Sequence, residues 1–310
     1  YGFWERGHFR LRIDGSDAKE LLCFGKGLTV GRLFHTVALR GDYFVVGRWL
    51  CAVDLGLYTR AYKLMELPGS LFIRAFDKTM FPAMSHIQRK TPALLSIYYK
   101  SIAVLAIVLI PSSAFVFVLA PELTTLILGE KWIGIVPSFR VLLIGMFGRE
   151  CLRVSDLMLR VKGVTYRSAY RKMMFALLVV AGSLIGVGYG ISGVAIGALA
   201  ALLITTSNMI SLTLRVLEGN YRDFFQQLML GWLMGGIVVF FTCSLKSALD
   251  PVYVSDFSKI ILLLFANIII VFLVARFFPE SMKARYSWLT QAIKQKLYTH
   301  ISVIKRRFIS

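Results

Sequence analysis

Four basic residues on one predicted helix are the side chains whose type and spacing could bind a ligand. Residues 57–90 are about as long as a membrane-crossing helix, yet they include Arg60, Lys63, Arg74 and Lys78. At about 100° per residue these four fall within roughly a 60° arc, so a helix aligns them in one basic stripe. A charge at the bilayer centre costs about 2.5–3.5 kcal/mol even on the mildest scale. The basic stripe must therefore face protein or water.

Two other predicted membrane segments also carry ionisable residues near their middle, among them Arg40 and Arg149. Cations outnumber carboxylates in these segments, and arginine suits phosphate oxygens because its planar donors form paired hydrogen bonds. We therefore favour an anion-binding cavity over the alternative that these charges only pair with one another to hold the helices together. The residues predicted to line this cationic, substrate-binding cavity are Arg40, Arg60, Lys63, Arg74, Lys78, Arg149 and Arg153. The acidic residues predicted to pair with them or to act in coupling are Asp42, Asp77, Glu150 and Asp156.

The sequence shows no motif of an enzyme or of a metal site. It contains no GxxxxGK phosphate loop, no HExxH and no GxSxG. Among the histidines, only His35 lies away from the ends of a predicted membrane segment, where a hydrogen-bonded histidine of the helix bundle is favoured over a proton relay. The cysteines Cys23, Cys51, Cys151 and Cys243 have no metal-binding spacing and are interpreted as free, buried residues. No catalytic residue, metal or cofactor is predicted.

The composition is that of a membrane protein. Hydrophobic residues make up 57% of the 310 residues, and the mean hydropathy is +0.67. Soluble domains average about 45–50% apolar residues. The formal net charge of +19 could indicate nucleic-acid binding, but the charges lie between hydrophobic segments and within a few of them rather than in one patch. No nucleic-acid partner is therefore predicted.

Eight membrane segments are predicted to position the charged residues. They lie at 23–52, 56–86, 98–127, 133–159, 170–189, 191–214, 227–246 and 257–277. The third segment and the last four are apolar, whereas the first, second and fourth are expected to score poorly as membrane spans because they contain the ionisable residues. Helices that line a polar cavity behave in this way. The predicted fold class is an all-α polytopic membrane protein with about eight transmembrane helices.

Basic residues in alternate connections predict the orientation in the membrane. They are numerous before the first segment and after the second, fourth, sixth and eighth, whereas the other connections contribute only Lys131, Lys246 and Lys259. The positive-inside rule then places both ends of this chain in the cytoplasm. The tail, 278–310, is predicted to form a basic amphipathic helix on the anionic cytoplasmic leaflet.

Glycine and proline mark two further features of the predicted helices. Small residues spaced by four share one helix face and allow close packing in lipid, so packing is favoured over a hinge in the fifth and sixth segments. In the third segment, Pro111 and Pro121 indicate either a substrate path or a passive kink. The glycines concerned are Gly182, Gly186, Gly190, Gly193 and Gly197.

Residues around the basic stripe carry a resemblance to a known transporter family. They are Asp42, Gly47, Leu55, Gly56, Leu57, Tyr58, Ala61, Tyr62, Leu67, Pro68, Phe81, Pro82, Ala83, Ser85 and Gln88. In this pattern the chain resembles the Wzx-type lipid-linked oligosaccharide flippases, the polysaccharide-transport branch of the MOP exporter superfamily. Weaker similarity continues through 189–195 to the last hydrophobic segment. The resemblance covers essentially the whole chain but only the second half of such a transporter.

The resemblance implies a cargo, an architecture and partners. The cargo would be an undecaprenyl-pyrophosphate-linked oligosaccharide, flipped from the cytoplasmic to the periplasmic leaflet of the bacterial inner membrane by alternating access between two six-helix lobes. No cofactor is implied, and coupling to H⁺ or Na⁺ stays open. The implied partners are membrane lipids and the polysaccharide polymerase and export machinery. The implied domains are a cytoplasmic inter-lobe loop (1–22), the second six-helix lobe (23–214), two additional transmembrane helices (215–277) and the cytoplasmic tail (278–310). Without the first lobe, this chain alone is not expected to transport.

Two alternatives stay open. One is another MOP exporter, carrying drugs or the lipid-linked peptidoglycan precursor; the Phe-Pro-Ala-Met-Ser run at 81–85 favours the polysaccharide branch. The other is a membrane polymerase or glycosyltransferase of the same pathway. Such an enzyme is expected to present catalytic groups in a sizeable loop, whereas the longest predicted external connections, about 120–132 and 246–256, have no clustered carboxylates and no nucleotide loop.

Overall fold

The described part of the chain folds into helices joined by short connections. The computed structural model describes residues 15–85, 90–249, 258 and 260–267, without the side chains of 15–28, 30, 68, 70–85 and 249. No strand occurs in these described ranges, which agrees with the predicted all-α fold class. The chain divides into two compact units, Tyr1–Ile260 and Ile261–Ser310. The helices and contacts described below belong to the first unit.

Helices α1 to α8 follow one another in the described part of the first unit. They are α1 (Gly15–Trp49), α2 (Ala52–Ser85), α3 (Thr91–Val118), α4 (Ala120–Leu128), α5 (Val136–Val161), α6 (Thr165–Gly186), α7 (Gly190–Leu217) and α8 (Tyr221–Leu249). Short 3₁₀ helices, Glu130–Ile135 and Val187–Tyr189, lead into α5 and α7.

The helices correspond closely to the predicted membrane segments. The third predicted segment is divided between α3 and α4, whereas α1, α2 and α5 to α8 each correspond to one segment. Helix α1 begins at Gly15, inside the segment predicted as an inter-lobe loop. In the predicted eighth segment, residues 258 and 260–267 are helical. The other residues of that segment, residues 1–14 and the predicted amphipathic tail lie outside the described residues.

Four stretches of the described helices are long and apolar enough to cross a membrane. They are Thr91–Val118, Glu130–Val161, Thr165–Leu217 and Tyr221–Ala248. Helices α1 and α2 are not among them, as predicted from their charges. The prediction that the fourth segment would also score poorly is wrong. Apart from Arg140, its charges lie from Arg149 onward, so that its first half still forms a sufficiently apolar window.

The helices of the first unit pack around one main core and smaller hydrophobic clusters. Helix α1 packs against α6, α6 against α7, and α7 against α5, while α5 also contacts α2 and α3. Helix α8 packs along α3. The main core lies between α2, α3 and α5 and contains the fully buried Tyr58, Tyr98 and Phe139. The hydroxyl of Tyr98 is 2.9 Å from that of Ser155, so this buried polar group is hydrogen-bonded.

Glycines bring the backbones of α6 and α7 into direct contact. A Cβ atom on Gly186 would lie 2.2 Å from the carbonyl oxygen of Gly193, and one on Gly182 would lie 2.7 Å from that of Gly197. The predicted packing role is therefore confirmed for these four residues. It is wrong for Gly190, which has no atom within 4 Å of an added Cβ; it instead takes a φ of +69° in the turn between the helices.

The two prolines of the predicted third segment have different effects. Helix α3 continues through Pro111, but it ends before Pro121, which lies in the first turn of α4. Proline has no N–H, so Pro121 cannot donate to the carbonyl of Phe117 four residues earlier. The guanidinium of Arg140 on α5 donates to that carbonyl instead, at 3.2 Å, and lies 5.4 Å from the centre of the Phe117 ring. Arg140 thus stabilises the break between α3 and α4.

The cysteines of the described part are free, as predicted, but they are not uniformly buried. Cys151 is buried, whereas Cys51 and Cys243 are exposed. The prediction of burial was based on the usual behaviour of unpaired cysteine and is wrong for these two, because Cys51 lies in the connection between α1 and α2 and Cys243 lies at an exposed position of α8. The side chain of Cys23 lies outside the described residues.

Candidate functional site

A polar cavity of about 260 Å³ lies among α1, α2, α5, α6 and α7. Helix α5 supplies most of its charge because residues three or four positions apart share one helix face. The cavity is otherwise walled by apolar side chains such as Met65, Phe175 and Leu202. Its polar lining consists of His35, Glu66, Arg149, Glu150 and Arg153.

Arg149 is the central cation of this cavity. Its side chain is only 19% exposed, and its guanidinium carbon lies 5.0 Å from the centre of the Tyr62 ring, within the range of a cation–π interaction. The nearest carboxylate oxygen is Oε1 of Glu66, 3.8 Å away. A charge-assisted hydrogen bond between such groups spans about 2.7–2.9 Å. The pair is therefore in electrostatic contact without a short hydrogen bond.

The carboxylate of Asp42, near Arg149, accepts hydrogen bonds from neutral donors. The carboxylate is buried, at 1% exposure, and accepts hydrogen bonds from the hydroxyls of Tyr58 (3.0 Å) and Tyr62 (2.5 Å) and from the backbone N–H of Tyr43 (2.9 Å). The rings of Tyr43, Tyr58 and Tyr62 lie 5.0–5.5 Å apart and enclose it. Because Tyr62 contacts both Arg149 and Asp42, it connects the cation of the cavity to the buried carboxylate.

Another buried carboxylate, that of Asp156, lies about two turns after Arg149 on α5. Asp156 is paired with Lys172 Nζ of α6 at 2.6 Å and with Arg160 Nε at 3.3 Å, and it accepts a hydrogen bond from Ser168 Oγ at 2.7 Å. Lys172 is itself 6% exposed. Removing one partner of such a buried pair typically destabilises a protein by about 3–5 kcal/mol. This cluster therefore fastens α6 to α5.

The predicted site residues of α5 also form ion pairs. Glu150 Oε2 lies 3.3 Å from Arg153 Nε, three positions along the same helix. In the described part of the cavity lining, two arginines therefore face two glutamates, so the surplus of cations predicted for the membrane segments is not concentrated here. Arg149 differs from Arg153 in two ways. Its side chain is 19% exposed, against 45% for Arg153, and its distance to the paired glutamate oxygen is 3.8 Å, against 3.3 Å.

The other predicted cavity cations do not line this cavity. Arg40, Arg60 and Lys63 are exposed on the outer faces of α1 and α2, and Arg60 lies 5.6 Å from the centre of the Trp132 ring. Both described members of the basic stripe thus lie on the exposed face of α2. Arg74, Asp77 and Lys78 belong to α2, but their side chains lie outside the described residues.

The surroundings of His35 differ from those predicted. It lines the cavity, and its Nδ1 atom is buried without a hydrogen-bond partner. The expectation of a hydrogen-bonded bundle histidine is therefore wrong for this atom. The cavity in front of His35 has room for water or for a ligand, because a water molecule takes about 30 Å³ of liquid volume.

Chemically, this arrangement supplies donors and acceptors that can hold a polar or anionic group. Arginine, histidine and glutamate side chains surround a small cavity, and no group of three metal-ligating side chains occurs among the described residues. Several polar partners were not predicted, namely Tyr43, Tyr58, Tyr62, Ser168 and Lys172. The spacing of Tyr58 and Tyr62 by four, which places both on one helix face, was the signal that could have indicated two of them.

Comparisons with known proteins agree with the resemblance noted from the sequence. Residues 3–137 match the family described as "Polysaccharide biosynthesis protein". "Lipopolysaccharide biosynthesis protein WzxC" of Escherichia coli K12 is 25% identical over 240 residues, which is 75% of this chain and 48% of that protein. "Teichuronic acid biosynthesis protein TuaB" of Bacillus subtilis 168 is 23% identical over 51% of this chain and 33% of its own length.

Two further similarities concern a membrane protein and a solved structure. An uncharacterised membrane protein in the cps region of Klebsiella pneumoniae is 26% identical over 46% of this chain and 28% of its own length. The structure "Lipid II flippase MurJ, inward closed conformation" superposes with a TM-score of 0.65 at 14% identity, over 84% of this chain and 53% of that one. This likeness shows the fold. The chain spans about half the length, or less, of each of these proteins.

Proposed function

We propose that this chain, which is similar to Wzx-type flippases of polysaccharide biosynthesis, forms part of a transporter for lipid-linked oligosaccharides. The proposed cargo is an oligosaccharide repeat unit joined through pyrophosphate to undecaprenol. We propose that it moves from the cytoplasmic to the periplasmic leaflet during synthesis of a surface polysaccharide. The names of the relatives, which refer to lipopolysaccharide and teichuronic acid biosynthesis, support this cargo class.

The observation that carries the proposal is the state of Arg149. It lies in the middle of a membrane-spanning helix, nearly buried, beside a cavity and 3.8 Å from the nearest carboxylate oxygen. Some of its five N–H donors therefore have no short, charged acceptor, although a buried guanidinium gains about 1.5–3 kcal/mol from such a hydrogen bond. A pyrophosphate oxygen that enters the cavity would supply that acceptor.

The size of the cavity defines which part of the cargo it would hold. At about 260 Å³, it has the volume of roughly eight to nine water molecules, which accommodates a pyrophosphate but not an oligosaccharide. We propose that Arg149 and Arg153 contact the pyrophosphate and that the sugars lie in a wider passage. The exposed Arg40, Arg60 and Lys63, with Arg74 and Lys78, are proposed to line that passage.

Alternating access and its coupling ion are also part of the proposal. Asp42 is the candidate that we favour for coupling to H⁺ or Na⁺, because its hydrogen bonds come from tyrosine hydroxyls and a backbone N–H rather than from a cation. Glu150 and Asp156 are paired with basic side chains and are proposed to stabilise the bundle instead. For Asp77, coupling and ion pairing both stay open.

The proposed location is the bacterial inner membrane, where the protein crosses the bilayer several times. We propose that both ends of this chain are cytoplasmic, since the basic residues are concentrated in alternate connections. Membrane lipids are the proposed surroundings, and the polysaccharide polymerase and export machinery are proposed partners. Transport of another lipid-linked precursor is the second candidate, because the fold is shared with a lipid II flippase.

Deleting the gene for this chain tests the proposed cargo and reaction. We expect loss of surface polysaccharide and accumulation of complete lipid-linked repeat units on the cytoplasmic leaflet, measured by mass spectrometry of extracted lipids and by lectin binding to inverted and right-side-out vesicles. A complementing plasmid is the control. Complete repeats on the periplasmic leaflet would indicate a polymerase, and accumulation of a peptidoglycan precursor would indicate another exporter. Either result contradicts the proposal.

A further inference from the structure

Three arginines meet at the end of the bundle where α6 begins and α7 ends. The guanidinium of Arg171 donates from Nη1 to the backbone carbonyl of Arg167, one turn earlier on α6, at 3.3 Å. Helices α6 and α7 pack antiparallel, since Gly186 contacts Gly193 and Gly182 contacts Gly197. Arg215, in the last turn of α7, therefore lies at the same end of the pair as Arg167 and Arg171, and both Arg167 and Arg215 repel the charge of Arg171. Arg167, Arg171 and Arg215 are referred to below as the arginine cluster.

No carboxylate neutralises the arginine cluster within the part of the chain that the structure describes. The neighbouring cations Arg160 and Lys172 differ in this respect, because both pair with Asp156. Like charges held together without a counter-ion are unfavourable, and arginine forks match phosphate geometry. The cluster therefore lacks the anion that its charge and geometry suit.

Beyond the arginine cluster, one face of α6 exposes first tyrosine and then apolar side chains. Tyr166 and Tyr170 are 53% and 59% exposed beside the arginines, and Met174 and Leu177 are exposed further along the same face. Tyrosine is typical of the membrane–water interface, and apolar residues beyond it are typical of the acyl region. The order along α6 thus matches the order of headgroup and chain in a phospholipid.

We propose that the arginine cluster binds the phosphate of an anionic glycerophospholipid, whose acyl chain lies along Met174 and Leu177 of α6. The arginine cluster is separate from the polar cavity around Arg149 and is independent of the transported cargo. It would fix one end of the α6–α7 pair to the bilayer surface. An anionic lipid then stabilises the α6–α7 pair because its phosphate attracts the arginines. A zwitterionic lipid does not.

The test measures lipid binding to the full chain purified in detergent. Phosphatidylglycerol and phosphatidylcholine with identical acyl chains are titrated, and retained lipids are counted by native mass spectrometry. Phosphatidylglycerol is expected to bind about a hundredfold more weakly to the Arg167→Gln/Arg171→Gln/Arg215→Gln variant, roughly fivefold for each arginine. Arg171→Lys should keep part of the affinity because it keeps the charge. Arg222→Gln, at the start of α8, is the matched control and should bind like the native chain.

Four results would overturn the proposal. The first is equal phosphatidylglycerol binding by the triple variant and by Arg222→Gln, and the second is equal binding of the two lipids by the native chain. The third is competition by millimolar inorganic phosphate that is as effective as competition by lipid. The fourth is a preference for a polyprenyl pyrophosphate over phosphatidylglycerol. The last would assign the arginine cluster to the transported cargo instead. Thermal unfolding of each variant without added lipid checks that the substitutions leave the fold intact.

Discussion

Arg149→Gln is expected to abolish export of surface polysaccharide while the amount of protein in the membrane stays near normal. The substitution removes the buried guanidinium proposed to hold the pyrophosphate, and each lost charge-assisted hydrogen bond weakens binding by about 1.5–3 kcal/mol, or about ten- to hundredfold. Its neighbour Glu66 is 59% exposed, so the carboxylate left behind can be solvated and the fold should persist. Export per molecule is measured by immunoblotting the polysaccharide beside the membrane-bound protein.

Substitutions at Glu66 separate cargo binding from simple ion pairing. If Arg149 serves the cargo, Glu66→Gln should keep export, since it removes only a competing anion, and Arg149→Lys should keep part of it because only the planar donor geometry is lost. If the pair is structural, Glu66→Gln should impair export as much as Arg149→Gln, and the double neutral variant should recover both abundance and export. Recovery in the double variant would contradict a cargo-binding role.

Arg140→Gln is the matched control for this series. Arg140 is another half-buried arginine of α5 that contacts an aromatic ring, but it donates to the Phe117 carbonyl and does not line the polar cavity. Its loss leaves the break before Pro121 without a donor, which should lower abundance moderately. Export per molecule should stay normal.

Gly186→Val is expected to weaken the packing of α6 against α7 and to destabilise the protein. Even a Cβ at this position would lie 2.2 Å from the Gly193 carbonyl oxygen, so the backbones of α6 and α7 must separate. Overpacking of this kind costs about 1–3 kcal/mol and sometimes more. Thermal unfolding in detergent should show a midpoint lower by several degrees, accompanied by reduced membrane abundance.

Gly236→Ala is the control for the glycine substitution. It lies inside α8 with no atom within 4 Å of an added Cβ, so its effect on the unfolding midpoint should be small. Gly186→Ala should lie between the control and Gly186→Val. An unchanged midpoint for Gly186→Val would show that the α6–α7 contact is not tightly packed in the membrane.

Features determined by local periodicity could be predicted from the sequence. The helices follow from long apolar runs, and the contacts of Gly186 with Gly193 and of Gly182 with Gly197 follow from small residues recurring on one helix face. The exposure of Arg60 and Lys63 on α2 also agrees with the rule that charges avoid an apolar interior. The fourth segment was misjudged because its charges were averaged over its whole length.

Contacts between distant helices could not be predicted in the same way. Whether Arg149 faces Tyr62 and Glu66, or Asp156 faces Lys172, depends on the rotation of each helix against its neighbour. That rotation is set by the packing of the whole bundle rather than by either segment. For the same reason the unpartnered Nδ1 of His35 could not be anticipated.

The most direct test of anion binding beside Arg149 is a thiol-protection measurement on the purified chain. The native cysteines are replaced, and the thiol introduced by Leu39→Cys, in the lining of the polar cavity, is labelled with a maleimide in the presence and absence of a short-chain polyprenyl pyrophosphate. Labelling should slow markedly with the ligand, and this protection should disappear in Arg149→Gln. A thiol introduced by Ile196→Cys, on an exposed position of α7, should label equally in all cases. Equal labelling at position 39 with and without ligand, or protection that persists in Arg149→Gln, would contradict the proposed site.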